Sequence, residues 1–378
     1  MADSRANHGY SASPEELRLI RTKPRTTATG KSFDWFVNEK AASGDWRLEC
    51  VPGQVLGLSR PLEIYRTVRK TNLVKPWPRS DSAEAYCPAH WADLAVGRGA
   101  CGLRCRACFL IMTHRLFCDP SRHVVYENVG DYEEAVRRWL AKPTRKNLGL
   151  GIDCSDSLLY EGVTGHARCL IPLFAGARTN PHKSKLILLT KSTNVRYLQG
   201  LPTDTILLTF SLNPEAIADL WEGKFEDGVR VTPRVNERLK ASLRGQDMGF
   251  RVRWRIDPIL PVDEWQATYS QFFNLAAEAG HRPERITLGT YRETQRTLTT
   301  FASGWGLPPM EWKPTGLEKD GDHYHIPLER RIGIYAFLRT AIQDAWGGTG
   351  RIPVIALCKE PRLVRREVGL DHDMCNCE

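Results

Sequence analysis

The sequence predicts an α/β protein: a mainly parallel sheet arranged as a partial (β/α)6 barrel, with an N-terminal extension and a cysteine-containing C-terminal tail. From about residue 87, short apolar runs alternate with helix-like stretches, as in βαβ units. The 378 residues are 42% hydrophobic, which is enough to bury a large core. Polar residues directly follow several of the apolar runs, at the strand ends where parallel sheets bind ligands.

The chain divides into four predicted segments. Residues 1–32 are polar and rich in Ser, Thr, Arg and Pro, so we expect a flexible leader. Residues 33–86 carry scattered apolar and aromatic positions, and we expect them to pack as an N-terminal extension on the main domain. Residues 87–357 hold the alternating pattern of the barrel. Residues 358–378 form the cysteine-containing tail.

Hydrophobic periodicity predicts the elements of the barrel. The runs that predict strands are 148–153, 185–191, 205–211, 250–256, 285–289 and 352–357. The helix-like stretches are 157–175, 265–280 and 330–346, the last one ended by Gly347-Gly348. In the run 250–256 arginines alternate with apolar residues, which predicts a strand with one solvated face.

Composition and charge narrow the class of protein. The net charge is +9, which favours a polyanionic partner such as DNA but is equally compatible with a solvated basic face. No apolar run reaches the roughly 18 residues of a transmembrane helix, and the first residues lack a signal peptide's apolar region. We therefore expect a cytoplasmic protein without a membrane partner. Its eleven cysteines would stay reduced there, which points to metal or redox chemistry.

Three cysteines lie within eight residues, in the run Cys101-Gly-Leu-Arg-Cys105-Arg-Ala-Cys108. Thiolates at this spacing can surround an iron–sulfur cluster or a zinc ion. A [4Fe–4S] cluster bound by three cysteines keeps one iron open for another ligand. The alternative is a zinc knuckle, whose fourth ligand would come from Cys87, His90, His114 or Cys118.

Polar residues follow four of the predicted strands. They are Asp153-Cys154-Ser155-Asp156-Ser157, Lys191-Ser192, Ser211-Leu212-Asn213 and Asp257-Pro258. A lysine at such an edge can pair with a carboxylate, while serine, asparagine and aspartate can hold amino and hydroxyl groups. Helix N-capping would explain any one of the serines or the asparagine. Recurrence at four strand ends favours a binding site for a zwitterionic ligand.

Five motifs in a fixed order resemble spore photoproduct lyase and its relatives, a group of radical S-adenosylmethionine (SAM) enzymes. The resemblance runs from about Cys87 to Arg331. Its motifs are Cys101-x3-Cys105-x2-Cys108, Cys154-Ser-Asp-Ser-Leu158, Leu188-Leu-Thr-Lys191, Phe210-Ser-Leu-Asn213 and Asp257-Pro-Ile-Leu-Pro-Val-Asp-Glu-Trp265. Such an ordered set is far more specific than any single motif.

The resemblance implies a radical-SAM barrel whose cluster cleaves SAM reductively to a 5′-deoxyadenosyl radical, with an electron donor such as flavodoxin or ferredoxin. It implies that the [4Fe–4S] cluster is held by Cys101, Cys105 and Cys108. The residues implied to bind SAM are Ser155, Lys191, Ser211 and Asn213. In the lyase the substrate is a thymine dimer in DNA. We therefore expect a lyase or isomerase that acts on a pyrimidine (thymine-derived) base in DNA, as repair or as radical modification of a modified base.

Two departures from the lyase suggest a different end to the reaction. The lyase has tyrosines on both sides of its last cluster cysteine, where this chain has Ala107 and Phe109. The thiol–tyrosine path that returns a hydrogen atom is therefore expected to be absent. Cys154 lies at, or one residue from, the lyase's hydrogen-donor cysteine, so it is either a catalytic donor or a small buried residue. By analogy with the lyase's relatives, we expect Arg331 and Tyr335, one helical turn apart, to face the substrate.

The tail contributes a second group of cysteines, Cys358, Cys375 and Cys377. They could hold a second iron–sulfur cluster or zinc, with His372 or Cys87 as a fourth ligand. Alternatively the thiols carry no metal.

Two other functions compete with the one implied by the lyase. The first is a radical-SAM enzyme that acts on a small nucleoside-derived metabolite. The second is a zinc-stabilised nucleic-acid-binding protein without enzyme activity.

Overall fold

The computed structural model describes most of the predicted barrel and tail. The described residues are 42–76, 80–81, 86–87, 91–98, 101–103, 105, 108, 123–143, 147–223, 228–230, 232–294, 315–320 and 323–378. The predicted leader, residues 1–32, lies outside them. So do Ala107 and Phe109, and also His90, His114 and Cys118, three of the four alternative zinc ligands.

The strands follow one another along nearly the whole described chain. They are β1 (Arg47–Val51), β2 (Leu62–Thr67), β3 (Val74–Pro76), β4 (Ser80–Asp81), β5 (Tyr86–Cys87), β6 (Trp91–Leu94), β7 (Gly97–Arg98), β8 (His123–Tyr126), β9 (Asn147–Leu150), β10 (Leu186–Thr190), β11 (Ile206–Ser211), β12 (Arg251–Ile259), β13 (Arg285–Thr290), β14 (Arg292–Thr294), β15 (Glu318–Asp320), β16 (His323–His325) and β17 (Val354–Leu357).

The helices lie mainly between the strands of the second half. They are α1 (Gly53–Leu56), α2 (Val129–Leu140), α3 (Glu161–Thr164), α4 (His166–Ala175), α5 (Glu215–Glu222), α6 (Val235–Asp247), α7 (Trp265–Glu278), α8 (Leu328–Gly347) and α9 (Arg362–Glu367). Gly348 follows α8, where the sequence predicted the helix to stop.

An eight-stranded sheet carries the fold, in the order β17-β13-β12-β11-β10-β9-β6-β3. From β6 to β17 each strand pairs in parallel with the next one along this order, and β3 alone joins antiparallel, at the edge. Strand order follows chain order, as successive βαβ units require. The predicted α/β class with a mainly parallel sheet is confirmed.

The helices cover one face of this sheet and form the main core with it. On β12, Trp254 is fully buried and packs edge-to-face on Trp346 of α8, with ring centroids 5.9 Å apart. Leu186 and Leu188 of β10 are also fully buried. Because side chains alternate along a strand, the neighbouring positions face the other side of the sheet.

That other face of β12 differs from the sequence prediction. We expected it to be solvated, but Arg253 is fully buried. Its Nη1 donates to the backbone carbonyl of Asn376, at 2.9 Å, and its Nε donates to Glu284, at 2.7 Å. The tail therefore packs on the arginine face of the strand, where its carbonyls and Glu284 replace water as hydrogen-bond partners.

A second sheet, called here the N-terminal sheet, joins β1 and β2 of the extension to two later strands, in the order β1-β2-β8-β7. β1 and β2 form an antiparallel pair, while β2 pairs in parallel with β8, more than fifty residues further on. A three-stranded sheet, β14-β16-β15, follows the carboxyl end of β13. Among the described helices, none is long and apolar enough to cross a bilayer.

Candidate active site

The carboxyl ends of the parallel strands bring two predicted residues into contact. Lys191 follows β10 directly and Ser211 ends the neighbouring strand β11. The Nζ of Lys191 donates a hydrogen bond to the Oγ of Ser211, at 3.0 Å. The structure thus confirms that these two strand ends meet, as the parallel order requires.

A buried carboxylate, which the sequence analysis missed, holds Lys191 in place. Glu222, the last residue of α5, is 1% exposed and lies 2.7 Å from Lys191 Nζ through its Oε1. Arg238 of α6 donates to both of its carboxylate oxygens, and Thr232 donates to Oε2. Burial by itself would raise the pKa of Glu222, but Arg238 and Lys191 outweigh burial and hold that pKa well below its usual range.

The sequence did contain one signal for Glu222. Helical spacing places it one turn after Ala218, on the same face as the buried Trp221 and Ile217. A carboxylate on the apolar face of a helix requires buried cationic partners. The partner Arg238 lies on another helix, and nothing in the sequence pairs the two.

Asp156 shapes the loop between β9 and β10 and acts through the backbone. Its Oδ1 accepts hydrogen bonds from the backbone N–H groups of Leu158 and Leu159 and from the Thr190 hydroxyl. Its Oδ2 accepts the backbone N–H of Lys191, at 2.6 Å. Burial raises the pKa of Asp156 in spite of these four hydrogen bonds. The carboxyl group therefore fixes the backbone from which the Lys191 side chain projects.

Cys154 and Ser155 lie in the turn that follows β9, apart from the lysine. The backbone N–H of Ser155 donates to Gly151 O, at 2.7 Å. Burial, and after it the nearby Asp93 carboxylate, raise the pKa of the Cys154 thiol to about 12. Within the described part of the chain, no hydrogen bond links either side chain to Lys191 or Ser211. Because its pKa is raised, the Cys154 thiol is protonated at neutral pH, and its role as a hydrogen-atom donor stays a prediction.

Asn213 has its polar atoms engaged inside the protein. It is 2% exposed, its Nδ2 donates to the carbonyl of Pro258 at 3.1 Å, and its Oδ1 accepts the Tyr269 hydroxyl at 3.0 Å. These bonds tie β11 to β12 and α7. The side chain has a structural role here that the sequence did not indicate.

The cysteine loop lies under the N-terminal sheet and next to the lysine. Cys101, Cys105 and Cys108 all belong to one small apolar cluster, with Ile64, Leu103, Leu159 and Tyr160 among its members. The loop is anchored because the hydroxyl of Tyr160 accepts the backbone N–H of Gly102, at 3.0 Å. Burial raises the pKa of the Cys105 thiol, and the Lys191 ammonium group partly offsets that effect.

Three thiols are a donor set that soft metals and iron–sulfur clusters prefer. Burial, and after it the Asp156 carboxylate, raise the pKa of the Cys101 thiol, so a free thiolate is unfavourable there. A bound metal would supply the missing positive charge. Among the residues that the structure describes, however, no three His, Cys, Asp or Glu side chains are grouped closely enough to hold a metal ion. The roles of these cysteines as ligands therefore remain predictions.

The tail cysteines lie on the same face of the sheet as the arginines. Cys375 packs with Trp91, Ile187 and Leu207, and Cys377 packs beside this group. Cys358 follows β17 directly, and its Sγ lies 3.4 Å from Nη2 of Arg255. The structure thus brings all three thiols to one face of the sheet, and their metal binding stays a prediction as well.

Arg331 and Tyr335 are engaged by a buried carboxylate. Nη1 of Arg331 lies 2.6 Å from Glu360 Oε2, and the Tyr335 hydroxyl donates to Oε1 at 2.7 Å. The same hydroxyl accepts the backbone N–H of Thr290, at 2.7 Å. All three side chains are buried, so this group links α8 to the ends of β13 and β17.

Comparison with known proteins identifies the fold. No family model and no curated protein matches the chain. Among solved structures, a variant of spore photoproduct lyase aligns with a TM-score of 0.58 and 17% identity, covering 78% of this chain and 81% of its own. The lyase with bound AdoMet and dinucleoside spore photoproduct aligns over the same shares, with a TM-score of 0.58 and 16% identity.

A second radical-SAM enzyme is less similar. The methyltransferase TsrM from Kitasatospora setae aligns with a TM-score of 0.45 and 12% identity, over 76% of this chain and 60% of its own. A score this low does not establish a shared fold. The lyase alignment does, and it confirms at the level of the fold the resemblance that the motifs indicated.

Proposed function

We propose that the protein is a radical-SAM enzyme that acts on a pyrimidine (thymine-derived) base in DNA, as repair or as radical modification of a modified base. One observation carries the proposal: a three-cysteine loop lies beside the Lys191–Ser211 pair, at the carboxyl ends of a parallel sheet with the lyase's fold. The strand order from β6 to β17 is also the order that a partial barrel needs.

The cofactors follow from the same residues. Cys101, Cys105 and Cys108 would hold a [4Fe–4S] cluster, and the neighbouring lysine and serine would hold the amino acid end of SAM. When bound, these groups would supply a 5′-deoxyadenosyl radical able to take a hydrogen atom from a substrate carbon. Metal binding would draw the three thiols together, because thiolate coordination is coupled to local folding.

The protein's own residues would orient the cofactor and exclude water. Lys191 is a charged donor whose position is fixed twice, by Glu222 through its side chain and by Asp156 through its backbone. Because Lys191 is already paired with Glu222, its ammonium group would bind a carboxylate ligand and Glu222 at the same time. The apolar cluster around Cys105 shields the loop from solvent, which a reactive radical requires.

The substrate is proposed from charge and from the lyase. The solved structures of spore photoproduct lyase include a complex with dinucleoside spore photoproduct. The net charge of +9 is compatible with a nucleic acid. A reducing partner such as flavodoxin or ferredoxin, in a reducing compartment such as the cytoplasm, would deliver the electron.

The test is anaerobic reconstitution with iron and sulfide, followed by reduction in the presence of SAM. We expect 5′-deoxyadenosine, and more of it when a DNA substrate is added. Stimulation by a nucleoside metabolite and not by DNA would favour the small-molecule alternative. A colourless protein with stoichiometric zinc and no SAM cleavage would replace the proposal with the zinc-stabilised binder.

The tail supports a smaller proposal, a second metal site at Cys358, Cys375 and Cys377. Measuring iron, sulfide and zinc together in the reconstituted protein shows whether this second site holds a metal. Substituting Cys377 with alanine should then remove the second metal and leave the first cluster in place.

A further inference from the structure

One face of β12 carries a row of arginines, and its members have different partners. Arg251, Arg253, Arg255 and Asp257 share this face, because side chains alternate along a strand. Arg251 and Arg253 both pair with Glu284, and Arg253 also binds the tail carbonyls. The first two arginines therefore have structural roles. Arg255 contacts no tail carbonyl, and its contact in the tail is with the Sγ of Cys358, 3.4 Å from its Nη2.

Arg255 shares one carboxylate with an arginine from another sheet. Its Nη2 lies 2.8 Å from Oδ2 of Asp257, and Nη2 of Arg292 on β14 lies 2.8 Å from the same oxygen. Nη1 of Arg292 also donates to the carbonyl of Cys358, at 2.9 Å. Gly289 of β13 leaves room for this group, since a Cβ there would lie 2.7 Å from Asp257 Cγ. The chain thus builds this cluster from three strand ends.

The cluster carries an excess of positive charge. Burial alone would raise the pKa of Asp257, but Arg292 and Arg255 outweigh burial and hold it at about 2. At neutral pH two guanidinium groups therefore face one carboxylate. A single oxygen of that carboxylate takes the bonds from both arginines. Within the described residues, Nη1 of Arg255 and Oδ1 of Asp257 make no hydrogen bond.

The cluster is recessed yet open, and it adjoins the proposed SAM site. The side chains of Arg255, Arg292 and Asp257 are 26%, 16% and 11% exposed. In the sheet register Arg255 is the direct partner of Ser211, which accepts the hydrogen bond from Lys191. Neighbouring strands lie about 5 Å apart, so a ligand at this cluster would lie next to one held by Lys191.

We propose that Arg255 and Arg292 form an oxyanion subsite, pre-oriented by Asp257, which binds a phosphate or carboxylate group of the substrate. Planar guanidinium groups bind such oxyanions through paired, charge-assisted hydrogen bonds. The identity of the substrate rests on the proposed function, but the binding of an oxyanion does not.

The test compares ligands that differ only in the charged group. Calorimetric titration of the full-length reconstituted protein would compare thymidine 5′-monophosphate with thymidine, and inorganic phosphate with acetate. We expect the monophosphate to bind about tenfold tighter than thymidine, or about 1.4 kcal/mol. If inorganic phosphate competes more strongly than acetate with the monophosphate, the subsite binds a phosphate group. If acetate competes more strongly, it binds a carboxylate.

Variants locate the effect. Arg255→Gln and Arg292→Gln should each abolish the preference for the monophosphate, whereas Arg251→Gln, on the same strand face but paired with Glu284, should retain it. If all three variants lost the preference for the monophosphate equally, the preference would come from the general positive charge of the surface, and the subsite would be overturned. The subsite would also be overturned if Arg255→Gln and Arg292→Gln weakened the binding of SAM and left the preference for the monophosphate unchanged. If R255Q does not fold, the comparison of R292Q with the wild type still tests the subsite.

The two proposals fail separately. Loss of SAM cleavage with the phosphate preference intact would overturn the radical-SAM function alone. SAM cleavage without any phosphate or carboxylate preference would overturn the subsite alone.

Discussion

The ammonium group of Lys191 lies 2.7 Å from Oε1 of the buried Glu222 carboxylate, and Arg238 donates to the same oxygen at 2.8 Å and also to Oε2. One carboxylate thus orders two cations at the carboxyl ends of β10 and β11. Arg238 also donates to the backbone carbonyl of Ser211, at 3.0 Å. The lysine that would contact SAM is therefore positioned by contacts among three elements.

Removing the carboxylate should destabilise the fold. Glu222→Gln leaves Arg238 without its buried counter-charge, and we expect a loss of about 3–5 kcal/mol in the free energy of unfolding. Asp219→Asn, on the same helix but one-third exposed, should cost less than about 1 kcal/mol. Urea denaturation of both variants measures this. Equal stabilities would mean that Glu222 is not a structural ion.

The same carboxylate predicts a pH dependence. Because the pKa of Glu222 is lowered in the folded protein, its contribution is complete above its unfolded pKa of about 4.3 and is lost as the pH falls below that value. The wild type should therefore lose stability in acid more steeply than E222Q. The free energy of unfolding of both proteins, measured between neutral and acid pH, would show this difference. An equal decline in the two proteins would contradict it.

Substituting the lysine should weaken SAM binding. Lys191→Met removes a charged hydrogen-bond donor, so we expect affinity for SAM to fall about tenfold or more. Lys185→Met, just before the amino end of the same strand, is the matched control and should bind SAM like the wild type. Titration with SAM checks both variants. Unchanged affinity in K191M would remove Lys191 from the cofactor site.

The cysteine loop should depend on its closest glycine. A Cβ at Gly102 would lie 2.4 Å from Leu62 Cδ1 and 2.6 Å from the Tyr160 hydroxyl, so Gly102→Ala should displace the loop and lower its iron content. At Gly333, inside α8, a Cβ meets nothing within 4 Å, and Gly333→Ala should keep all the iron. Iron and sulfide assays after reconstitution distinguish these results.

Asp93 supplies a pH dependence of opposite sign. Burial raises its pKa to about 7, although the backbone N–H groups of Ile152 and Asp153 donate to it. Since the folded protein binds this proton more tightly, stability should fall as the pH rises from about 4 to about 7. Asp93→Asn should flatten that decline, with the exposed Asp204→Asn as control. The same decline in D93N would assign it to another group.

Local sequence predicted the centre of the sheet well. The apolar runs 185–191 and 205–211 correspond to the strands Leu186–Thr190 and Ile206–Ser211, because a strand buried on both faces is recognisable from its composition. The strand order then placed Lys191 beside Ser211. Both inferences used only neighbouring strands.

Long-range pairings were beyond the sequence. The parallel pairing of β2 with β8 joins segments more than fifty residues apart, and no local pattern encodes it. Arg253 was misjudged for the same reason, since its partners lie in the tail. The hydrogen bonds of Asn213 with Pro258 and Tyr269 were not foreseen either, and its predicted role at the cofactor stays a prediction.

The most direct test of the central claim is the yield of 5′-deoxyadenosine from reduced, reconstituted protein and SAM. We predict deoxyadenosine from the wild type, none from Cys105→Ala, and wild-type yield from Cys169→Ala, which removes an exposed thiol far along the chain from the loop. Fully loaded iron and sulfide with no deoxyadenosine from the wild type would contradict the claim.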